Sequence, residues 1–500
     1  MNLNNPEVWF VTGSQYLYGE ETLRQVADHS QKMVEQLNAT AGFPAKIVFK
    51  TVVKSSEEVA NVCSAANSEP RCVGVVTWMH TFSPAKMWIS GLKILHKPLC
   101  HFHTQFNREI PWSEIDMDFM NLNQSAHGDR EFGHIVSRMR RPVKVVVGYW
   151  QEKPVQKRID TWMRVAIAWA DAQGMKIARF GDNMNNVAVT DGDKVEAEYR
   201  LGYHVDYYPV GDLVSYVQRV SKSDVEALVE EYDKSYEVAP EARRGGKDRV
   251  SVEEAARIEL GLRALLSENG IKAFTTNFDA LHGLHQLPGL AAQRLMAEGY
   301  GFGAEGDWKT AALLRTMKVM ARGLEGGTSF MEDYTYNFKG EDSAILQAHM
   351  LEVCPSIAEG RPRLEVHPLG IGGKADPARL VFGTAPGSGI AATLVDMGSR
   401  FRMIVNDVEV VRTEAALPKL PVAHAFWKPM PNLEVGAHAW ILAGGTHHTS
   451  FSQALTREFM EDYAEIAGIE MLSIDSQTTI RNFKNELKLN EVYYMLSKGF

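Results

Sequence analysis

The chain has 500 residues, of which 45% are hydrophobic and 23% are charged, and its formal net charge is −9. These values are typical of a globular protein with two or three domains, and the acidic balance argues against non-specific nucleic-acid binding, which requires a basic surface. Four scattered cysteines without a CxxC pair predict reduced thiols and a cytoplasmic protein. The first residues lack the pattern of a signal peptide, and no apolar run is long enough to cross a bilayer, so we expect neither export nor a membrane partner.

The amino-terminal part of the sequence alternates short apolar runs with amphipathic segments. The apolar runs predict strands at Val8–Thr12, Ile47–Val53, Val73–Trp78, Leu99–His103 and Val143–Gly148. The segments between them predict helices at Glu20–Leu37, Ser56–Asn67, Pro84–Leu95 and Val155–Ala172. This βαβα alternation indicates a parallel sheet with helices on its faces.

The alternation continues and then changes. Strands are predicted at Met175–Phe180 and Ala273–Thr276, and helices at Asp212–Val220, Ser223–Tyr232, Ser251–Glu268 and Asp307–Arg322. Beyond about residue 326, β-branched runs divided by Gly, Pro and Asp predict antiparallel strands within Val366–Thr384, Gly389–Met397 and Arg402–Arg412, followed by a helix at Ser450–Ala467. We therefore predict an α/β domain at 1–175, a second α/β domain at 176–325 and a β-rich domain at 326–500.

Three amino-terminal segments carry polar residues where a ligand could bind. TGSQYLYG (12–19) follows a strand and lacks the GxGxxG spacing, so a tight connection is favoured over a nucleotide site, although Gln15 and Tyr16 could face a ligand. His101 and His103 share one strand face, which permits chelation, but packing or hydrogen bonding is the more common role. Residues 116–133 show neither helical nor strand periodicity, which predicts a loop over a site with His127 as its most reactive member.

Four later segments offer two carboxylates and two imidazoles, a ligand set for a divalent metal of intermediate hardness. Glu305 lies between small residues just before a helix, and Glu332 lies among aromatic residues that predict partial burial. His349 is predicted on the apolar face of a strand, and His448 follows a second histidine at the start of a helix. Each of these residues could also have a purely structural role. Because they are far apart in the sequence, their spacing gives no reason to place them in one site.

Considered together, these and other segments closely resemble bacterial L-arabinose isomerases. The resemblance runs through nearly the whole chain in the same order and at similar spacing. It is carried by VWFVTGSQYLYG, HTFSPAKMW, FHTQFN, DMDFMNLNQSAHG, GAEGDWKTAALLR, GGTSFMEDYTY, HMLEVCPS, LGIGGKADPARL and AGGTHHT.

The resemblance implies the fold, the reaction and the site. The fold would comprise two Rossmann-like parallel-sheet domains and a carboxy-terminal antiparallel β-rich domain, as in the related L-fucose isomerase. The reaction would convert L-arabinose to L-ribulose with one Mn²⁺ per subunit, for which Co²⁺ or Fe²⁺ could substitute. The implied metal ligands are Glu305, Glu332, His349 and His448, and the implied substrate-binding residues are Gln15, Leu17, His127, Phe330 and His447. The family forms homotrimers or homohexamers in which Gln15, Leu17 and His127 reach the site of a neighbouring subunit.

Mechanism and substrate leave alternatives open. We expect Glu305 and Glu332 to act as the acid/base pair through an enediol, whereas a metal-assisted hydride shift would use them as ligands only. The substrate could instead be another aldose such as D-galactose or L-fucose, a preference that Leu17, Met184, Phe278 and Ile371 could set. A non-catalytic sugar-binding protein is the alternative from another class.

Overall fold

The structure is a computed structural model that describes residues 5–370 and 373–497. Contacts within the chain divide it into a first unit, residues 5–171 with 461–468, and a second unit that contains the other described residues. Within these described ranges, none of the helices combines the length and the apolar character needed to cross a lipid bilayer.

The first unit is built around a parallel sheet. Its strands are β1 (Glu7–Gly13), β2 (Lys46–Val53), β3 (Cys72–Met79), β4 (Leu99–His103) and β5 (Lys144–Val147). Its helices are α1 (Gly19–Thr40), α2 (Ser56–Ser68), α3 (Ile89–Ile94), α4 (Met117–Leu122), α5 (Ser125–Arg138) and α6 (Lys153–Ala172). The strand order β2-β1-β3-β4-β5 reverses between β1 and β3, and ligands of such sheets bind where the strands end at this reversal.

Both faces of this sheet are buried, as the apolar runs predict. Along β1, Val8 and Phe10 belong to one hydrophobic cluster, whereas Trp9 and Val11 belong to another. Because successive strand side chains point to opposite faces, a strand covered on both sides must be apolar throughout. The parallel α/β fold predicted for this part of the chain is confirmed.

The irregular loop predicted at 116–133 is wrong, because α4 and the start of α5 occupy it. Asp116 caps α4 by accepting a hydrogen bond from the backbone of Phe119. In α5, Gly128, Phe132 and Val136 are buried at four-residue spacing. A β-carbon at Gly128 would lie 2.5 Å from the carbonyl oxygen of Thr81, so glycine allows the helix to approach β3. The periodicity continues beyond residue 133, where the window chosen for the prediction ended.

Burial of His80 makes the stability of the first unit depend on pH. The His80 ring stacks on Trp78 and its Nε2 lies 2.8 Å from His29 Nδ1. Burial lowers the pKa of His80 from 6.5 to about 3. Between pH 6.5 and about pH 3, His80 is protonated in the unfolded chain but not in the folded chain. The free energy of unfolding is therefore unaffected by His80 above pH 6.5 and decreases as the pH falls below it.

We expect the first unit to lose about 2 kcal/mol of unfolding free energy between pH 7 and pH 5 through His80, at roughly 1.4 kcal/mol per pH unit below 6.5. Urea unfolding followed by tryptophan fluorescence would measure this slope. His80→Gln should make it shallower, whereas His438→Gln, at an exposed histidine, should not. An unchanged slope in the His80 variant would contradict the assignment.

The second unit begins with another parallel sheet. Its strands are β6 (Met175–Phe180), β7 (Tyr203–Tyr208), β9 (Ile271–Thr276) and β10 (Gly301–Ala304), with the short β8 (Glu237–Val238) pairing elsewhere. Its helices are α7 (Lys194–Leu201), α8 (Val210–Gln218), α9 (Lys222–Ser235), α10 (Arg249–Glu268), α11 (Gly289–Ala297) and α12 (Trp308–Met320). The strand order is β10-β9-β6-β7, so the order reverses between β6 and β9, as it does between β1 and β3 in the sheet of the first unit.

The remaining strands form the β-rich part of the second unit, and its mostly antiparallel character is confirmed. They are β11 (Thr328–Asn337), β12 (Ala344–Ala348), β13 (Arg363–Val366), β14 (Ala378–Val381), β15 (Gly387–Asp396), β16 (Phe401–Val410), β17 (His424–Pro429), β18 (His448–Ser452) and β19 (Glu470–Ile474). Two helices accompany them, α13 (Leu433–Leu442) and α15 (Ile480–Ser497). The helix α14 (Arg457–Ala467) begins in the second unit, and its residues 461–467 belong to the first.

The main sheet of this part runs in the order β15-β18-β11-β12-β17-β16-β19. Since β15 also pairs with β16, the antiparallel strands close into a ring, to which β19 adds in parallel. A smaller sheet has the order β14-β13-β8.

Two predicted elements in this region are wrong. The helix predicted from Ser450 begins at Arg457, because residues 448–452 form β18 and pair with both β11 and β15. The strand predicted through His349 ends at Ala348. Leu351 packs against α11, where a β-carbon at Gly289 would lie 2.3 Å from Leu351 Cβ, so the chain leaves the sheet at this point.

Candidate metal centre

Glu305 lies at the carboxyl edge of the second parallel sheet, directly after β10. Its φ angle is +61°, a left-handed conformation that is costly for a residue with a side chain. The backbone of Met184 donates a hydrogen bond to the Glu305 carbonyl at 3.0 Å, and Asn183 Nδ2 donates one to the Gly306 carbonyl at 3.3 Å. At Gly306, with φ of +87°, a β-carbon would approach Asn183 Cα to 2.5 Å. The turn thus holds the Glu305 carboxylate at the strand ends.

Glu332 and His448 are brought together by the antiparallel sheet. Glu332 lies on β11 and is the direct register partner of His448 on β18. Directly opposed residues present their side chains on the same face with β-carbons about 5 Å apart. On the other side of β11, Glu332 pairs with Ala348, the last residue of β12, so His349 follows immediately.

The four predicted ligands and His447 converge in the second unit. His349 Nε2 lies 3.5 Å from Glu332 Oε2, and His448 Nε2 lies 3.8 Å from Glu305 Oε2. His447 Nε2 lies 3.8 Å from Glu305 Oε2 and 3.9 Å from Glu332 Oε1. Two ligands that are each about 2.1 Å from one ion lie roughly 3.0–3.4 Å apart, so small side-chain movements would let these groups share an ion.

His447 lies closer to the carboxylates than expected for a residue that does not coordinate. Within the described residues, Glu305, His447 and His448 form a group whose ligand atoms all lie within 4.8 Å of one another. The two adjacent histidines have ring centroids 4.4 Å apart and an interplanar angle of 58°. His448 is fully buried, whereas the His447 side chain is 36% exposed. His447 is therefore the imidazole better placed to meet an incoming molecule.

Asp307 orients His448. Its Oδ2 lies 3.1 Å from His448 Nδ1, so we assign the ring proton to Nδ1 and a lone pair to Nε2. His448 Nε2 is buried and has no hydrogen-bond partner among the described residues. A buried acceptor without a donor is costly, and a cation at this position would satisfy it. This atom is the strongest indication that the donor set fits a metal.

Asp307 itself depends on a buried lysine. Lys309 Nζ lies 3.5 Å from Asp307 Oδ1, and both side chains are 1% exposed. Lys309 also donates to the carbonyls of Val189 and Asp191, at 3.0 and 2.6 Å. Burial opposes ionisation of Asp307, but Lys309 and His448 hold its pKa well below the ordinary value. Asp307 also caps α12 by accepting hydrogen bonds from the amide and hydroxyl of Thr310.

Glu352 orients His349 in the same way. Its Oε2 lies 2.5 Å from His349 Nδ1, which directs Nε2 toward Glu332. Burial alone would lower the pKa of His349, but the adjacent Glu352, together with Glu332 and Glu305, raises it. Each predicted imidazole ligand thus has a carboxylate on the nitrogen away from the centre, an arrangement common for metal-binding histidines.

The carboxylate of Glu305 is held ionised. Attraction to His447 lowers its pKa, and His448 and His349 add to the effect against the opposing influence of burial. The pKa of His447 is raised in turn, chiefly by Glu305. For the neighbouring Asp333, burial raises the pKa to about 6 against a hydrogen bond from Gln347.

Phe330 forms the floor of the group. It is fully buried, and its ring meets those of His349 and His448 edge-on at centroid distances of 5.0 and 5.2 Å. Two residues before Glu332 on β11, it points to the same face of the strand. These contacts indicate that Phe330 restricts the rotation of both imidazoles.

The remaining predicted substrate residues lie in the first unit or in loops. Gln15 begins the turn after β1, and Leu17 in that turn is 83% exposed. His127 lies in α5, where it is exposed and stacks on Phe82 at 4.5 Å. Phe278 starts a short turn after β9. Ile371, one of the residues considered for sugar preference, lies outside the described residues.

Asp307 and Glu352 were not recognised as partners of the histidines from sequence. Asp307 is predicted only as the first residue of a helix, and the strand predicted through His349 would direct Glu352 to the opposite face. The usable signal for Glu352 is its position three residues after His349. No sequence signal connects Asp307 with His448, because β18 brings them together from distant parts of the chain.

Two carboxylates and three imidazoles, with a further carboxylate beside two of the imidazoles, form a candidate divalent-metal centre of an α/β protein. Glu305 comes from the edge of the parallel sheet, and Glu332 and His448 come from the antiparallel sheet. Family models for L-arabinose isomerase match the chain throughout: the N-terminal domain at residues 2–174, the central domain at 176–323 and the C-terminal domain at 327–470. The chain belongs to the L-arabinose isomerase family.

Individual relatives agree with this assignment. An L-arabinose isomerase from Phocaeicola vulgatus is 62% identical over 500 residues, covering 99% of this chain and 98% of that protein. One from Flavobacterium johnsoniae is 59% identical over 496 residues, covering 99% of both. A solved carbohydrate transporter from Acidothermus cellulolyticus is 12% identical, and the match covers 55% of this chain and 76% of the transporter chain. Its TM-score of 0.16 is too low to support an argument about fold.

Proposed function

We propose that the chain isomerises L-arabinose to L-ribulose with one bound divalent cation per subunit, preferably Mn²⁺. Family membership supports the reaction. The observation that supports the metal is the buried His448 Nε2 without a hydrogen-bond partner, 3.8 Å from the Glu305 carboxylate. Carboxylates together with imidazoles suit Mn²⁺, and Co²⁺ or Fe²⁺ are the expected substitutes.

The proposed ligands are Glu305, Glu332, His349 and His448. When bound to these four side chains, the cation would polarise the sugar oxygens as a Lewis acid and would help to orient the open-chain sugar. Asp307 and Glu352 keep the two imidazoles in the tautomer that binds through Nε2.

Glu305 and Glu332 are the proposed acid/base pair. One carboxylate removes the proton from C2 of the aldose and delivers a proton to C1, while the hydroxyl proton moves from O2 to O1. The product is the ketose, and the intermediate is an enediol of the sugar. His447, partly exposed beside both carboxylates, is the proposed donor to sugar oxygens. Phe330 excludes water beneath the group.

The subunit is proposed to act in a homotrimer or homohexamer with sites at subunit boundaries. Leu17, 83% exposed, and His127, also exposed, are apolar and aromatic groups on the surface of the first unit. We propose that they and Gln15 contact sugar bound to a neighbouring subunit. The division at residues 175 and 325 into three domains also remains a proposal, as does a cytoplasmic location, which the four buried free cysteines support.

Metal removal and a small sugar panel test the function. After dialysis against EDTA, we expect ketose formation from L-arabinose to fall to background and Mn²⁺ to restore it. D-Galactose and L-fucose should react more slowly at equal concentration. Faster turnover of either sugar would assign the chain to that substrate. If no aldose is isomerised with any of the three metals while sugars still bind, the chain is a sugar-binding protein and the proposal fails.

A further inference from the structure

A second group of metal-ligand side chains lies in the first unit. His101 and His103 lie on the same face of β4, and Asp129 lies on α5, which packs over it. Within the described residues, one ligand atom from each of these three side chains lies within 4.8 Å of the others. None of the three has a role in the proposed isomerisation.

The Asp129 carboxylate is buried, and no lysine or arginine among the described residues forms an ion pair with it. Its side chain is 1% exposed. Oδ1 accepts a hydrogen bond from the Met79 backbone at 2.9 Å, and Oδ2 lies 2.6 Å from His103 Nδ1. In the described part of the chain, the two histidines are its ion-pair partners. A carboxylate removed from water in this way requires positive charge nearby.

His101 has a polar atom that the protein leaves unsatisfied. Its Nδ1 lies 3.1 Å from the Thr77 hydroxyl. Its Nε2 lies 3.2 Å from Asp129 Oδ1, yet it forms no hydrogen bond with any described residue. The His101 side chain is 5% exposed, so bulk water does not replace the missing partner. An imidazole nitrogen therefore faces a carboxylate oxygen without an aligned proton between them.

We propose that His101, His103 and Asp129 bind a zinc ion. Two imidazoles and one carboxylate are a zinc donor set with a fourth position for water, and the 26% exposed His103 provides access from solvent. Ligands about 2.0–2.1 Å from a tetrahedral zinc lie roughly 3.3 Å apart, close to the 3.2 Å between His101 Nε2 and Asp129 Oδ1. Zinc at His103 Nδ1 displaces the proton that this nitrogen shares with Asp129, and the neutral ring then carries its one proton on Nε2.

The ion would join β4 to α5. That helix also carries His127, one residue from Gly128 and its close approach to β3. Zinc would therefore stabilise the first unit and fix the helix that presents His127. The three zinc ligands are different from the residues proposed for isomerisation, so zinc binding at this place does not require isomerase activity.

Zinc binding to the full chain tests the proposal. The starting protein carries His349→Gln and His448→Gln, which remove two ligands of the group in the second unit. Equilibrium dialysis should find one zinc per chain, and Co²⁺ should give the visible absorption of a tetrahedral site. Addition of His103→Gln, and separately of Asp129→Asn, should lower zinc affinity at least tenfold and abolish that absorption.

His204→Gln is the matched control. His204 also lies between two carboxylates, with Nδ1 3.0 Å from Glu198 and Nε2 3.3 Å from Asp206, but its side chain is 45% exposed. This substitution should leave zinc binding unchanged. Circular dichroism confirms folding, and His103→Gln, at the partly exposed end of β4, is the variant least prone to misfold. A starting protein that binds no zinc, or folded variants that bind it with unchanged affinity, would overturn the proposal.

Discussion

Replacing Glu305 by Gln should lower kcat by about 10²–10⁴-fold, the usual contribution of a general acid or base. The amide preserves the shape of the side chain and one neutral oxygen, but it cannot take a proton from C2. The turn that holds residue 305 is formed by backbone contacts to Met184 and by Asn183, so folding should not change. Steady-state kinetics at saturating Mn²⁺ would measure the effect.

Glu325→Gln is the control, because Glu325 is exposed and follows α12; its kcat should stay within about twofold of the original chain. Near-normal turnover of the Glu305 variant would remove Glu305 from the acid/base pair. Reaction in deuterated water separates the two routes. Deuterium at C1 of the ketose supports the enediol, and its absence supports a hydride shift with Glu305 as a ligand only.

Asp307→Asn should weaken metal binding and destabilise the protein together. Without the carboxylate, His448 loses the charge that orients it, and such losses typically reduce metal affinity by about 10–100-fold. Lys309, at 1% exposure, is left without its anionic partner. We expect a loss of about 3 kcal/mol in unfolding free energy, the low end for a broken buried pair, because Lys309 keeps two carbonyl partners. Calorimetric Mn²⁺ titration and urea unfolding would measure both effects.

Asp193→Asn is the matched control for this variant. Asp193 also caps a helix, accepting hydrogen bonds from Val195 and Glu196, but it is exposed. Because asparagine caps helices about as well as aspartate, this change should alter stability by less than about 0.5 kcal/mol. If both variants behave alike, the buried charges around Asp307 contribute nothing beyond helix capping.

The parallel strands were the most predictable elements. The predicted strand Met175–Phe180 coincides with β6, and Leu99–His103 coincides with β4. Apolar residues occupy most positions of both strands, and glycine, proline or threonine stands at each end, a pattern that favours a short, largely buried strand. Regions where tertiary contacts decide the structure were predicted wrongly. His349 lies outside a strand because Leu351 packs on α11, and residues 448–452 are a strand because they pair on both sides.

The convergence of the candidate centre could not be derived from spacing. Glu332 meets His448 only because β11 and β18 are neighbours, and strand neighbours distant in sequence leave no local periodicity. The resemblance to a known family identified the four ligands as one set, which their spacing in the sequence could not do. Neither spacing nor the family resemblance indicated the carboxylates that contact the histidines. A capping aspartate such as Asp307 and a buried glutamate such as Glu352 have no distinctive sequence pattern.

Closure of the antiparallel strands into a ring has a consequence for how the chain can vary. Each strand of the ring is hydrogen-bonded to a neighbouring strand on both sides. A shift of one strand by one residue would therefore change the pairing register of every other strand in the ring. Changes in the length of the connecting segments should therefore not alter the register that places Glu332 opposite His448. The stretch between β16 and β17 should accept insertions and deletions with little change in metal affinity, whereas a single deletion within β11 should abolish it.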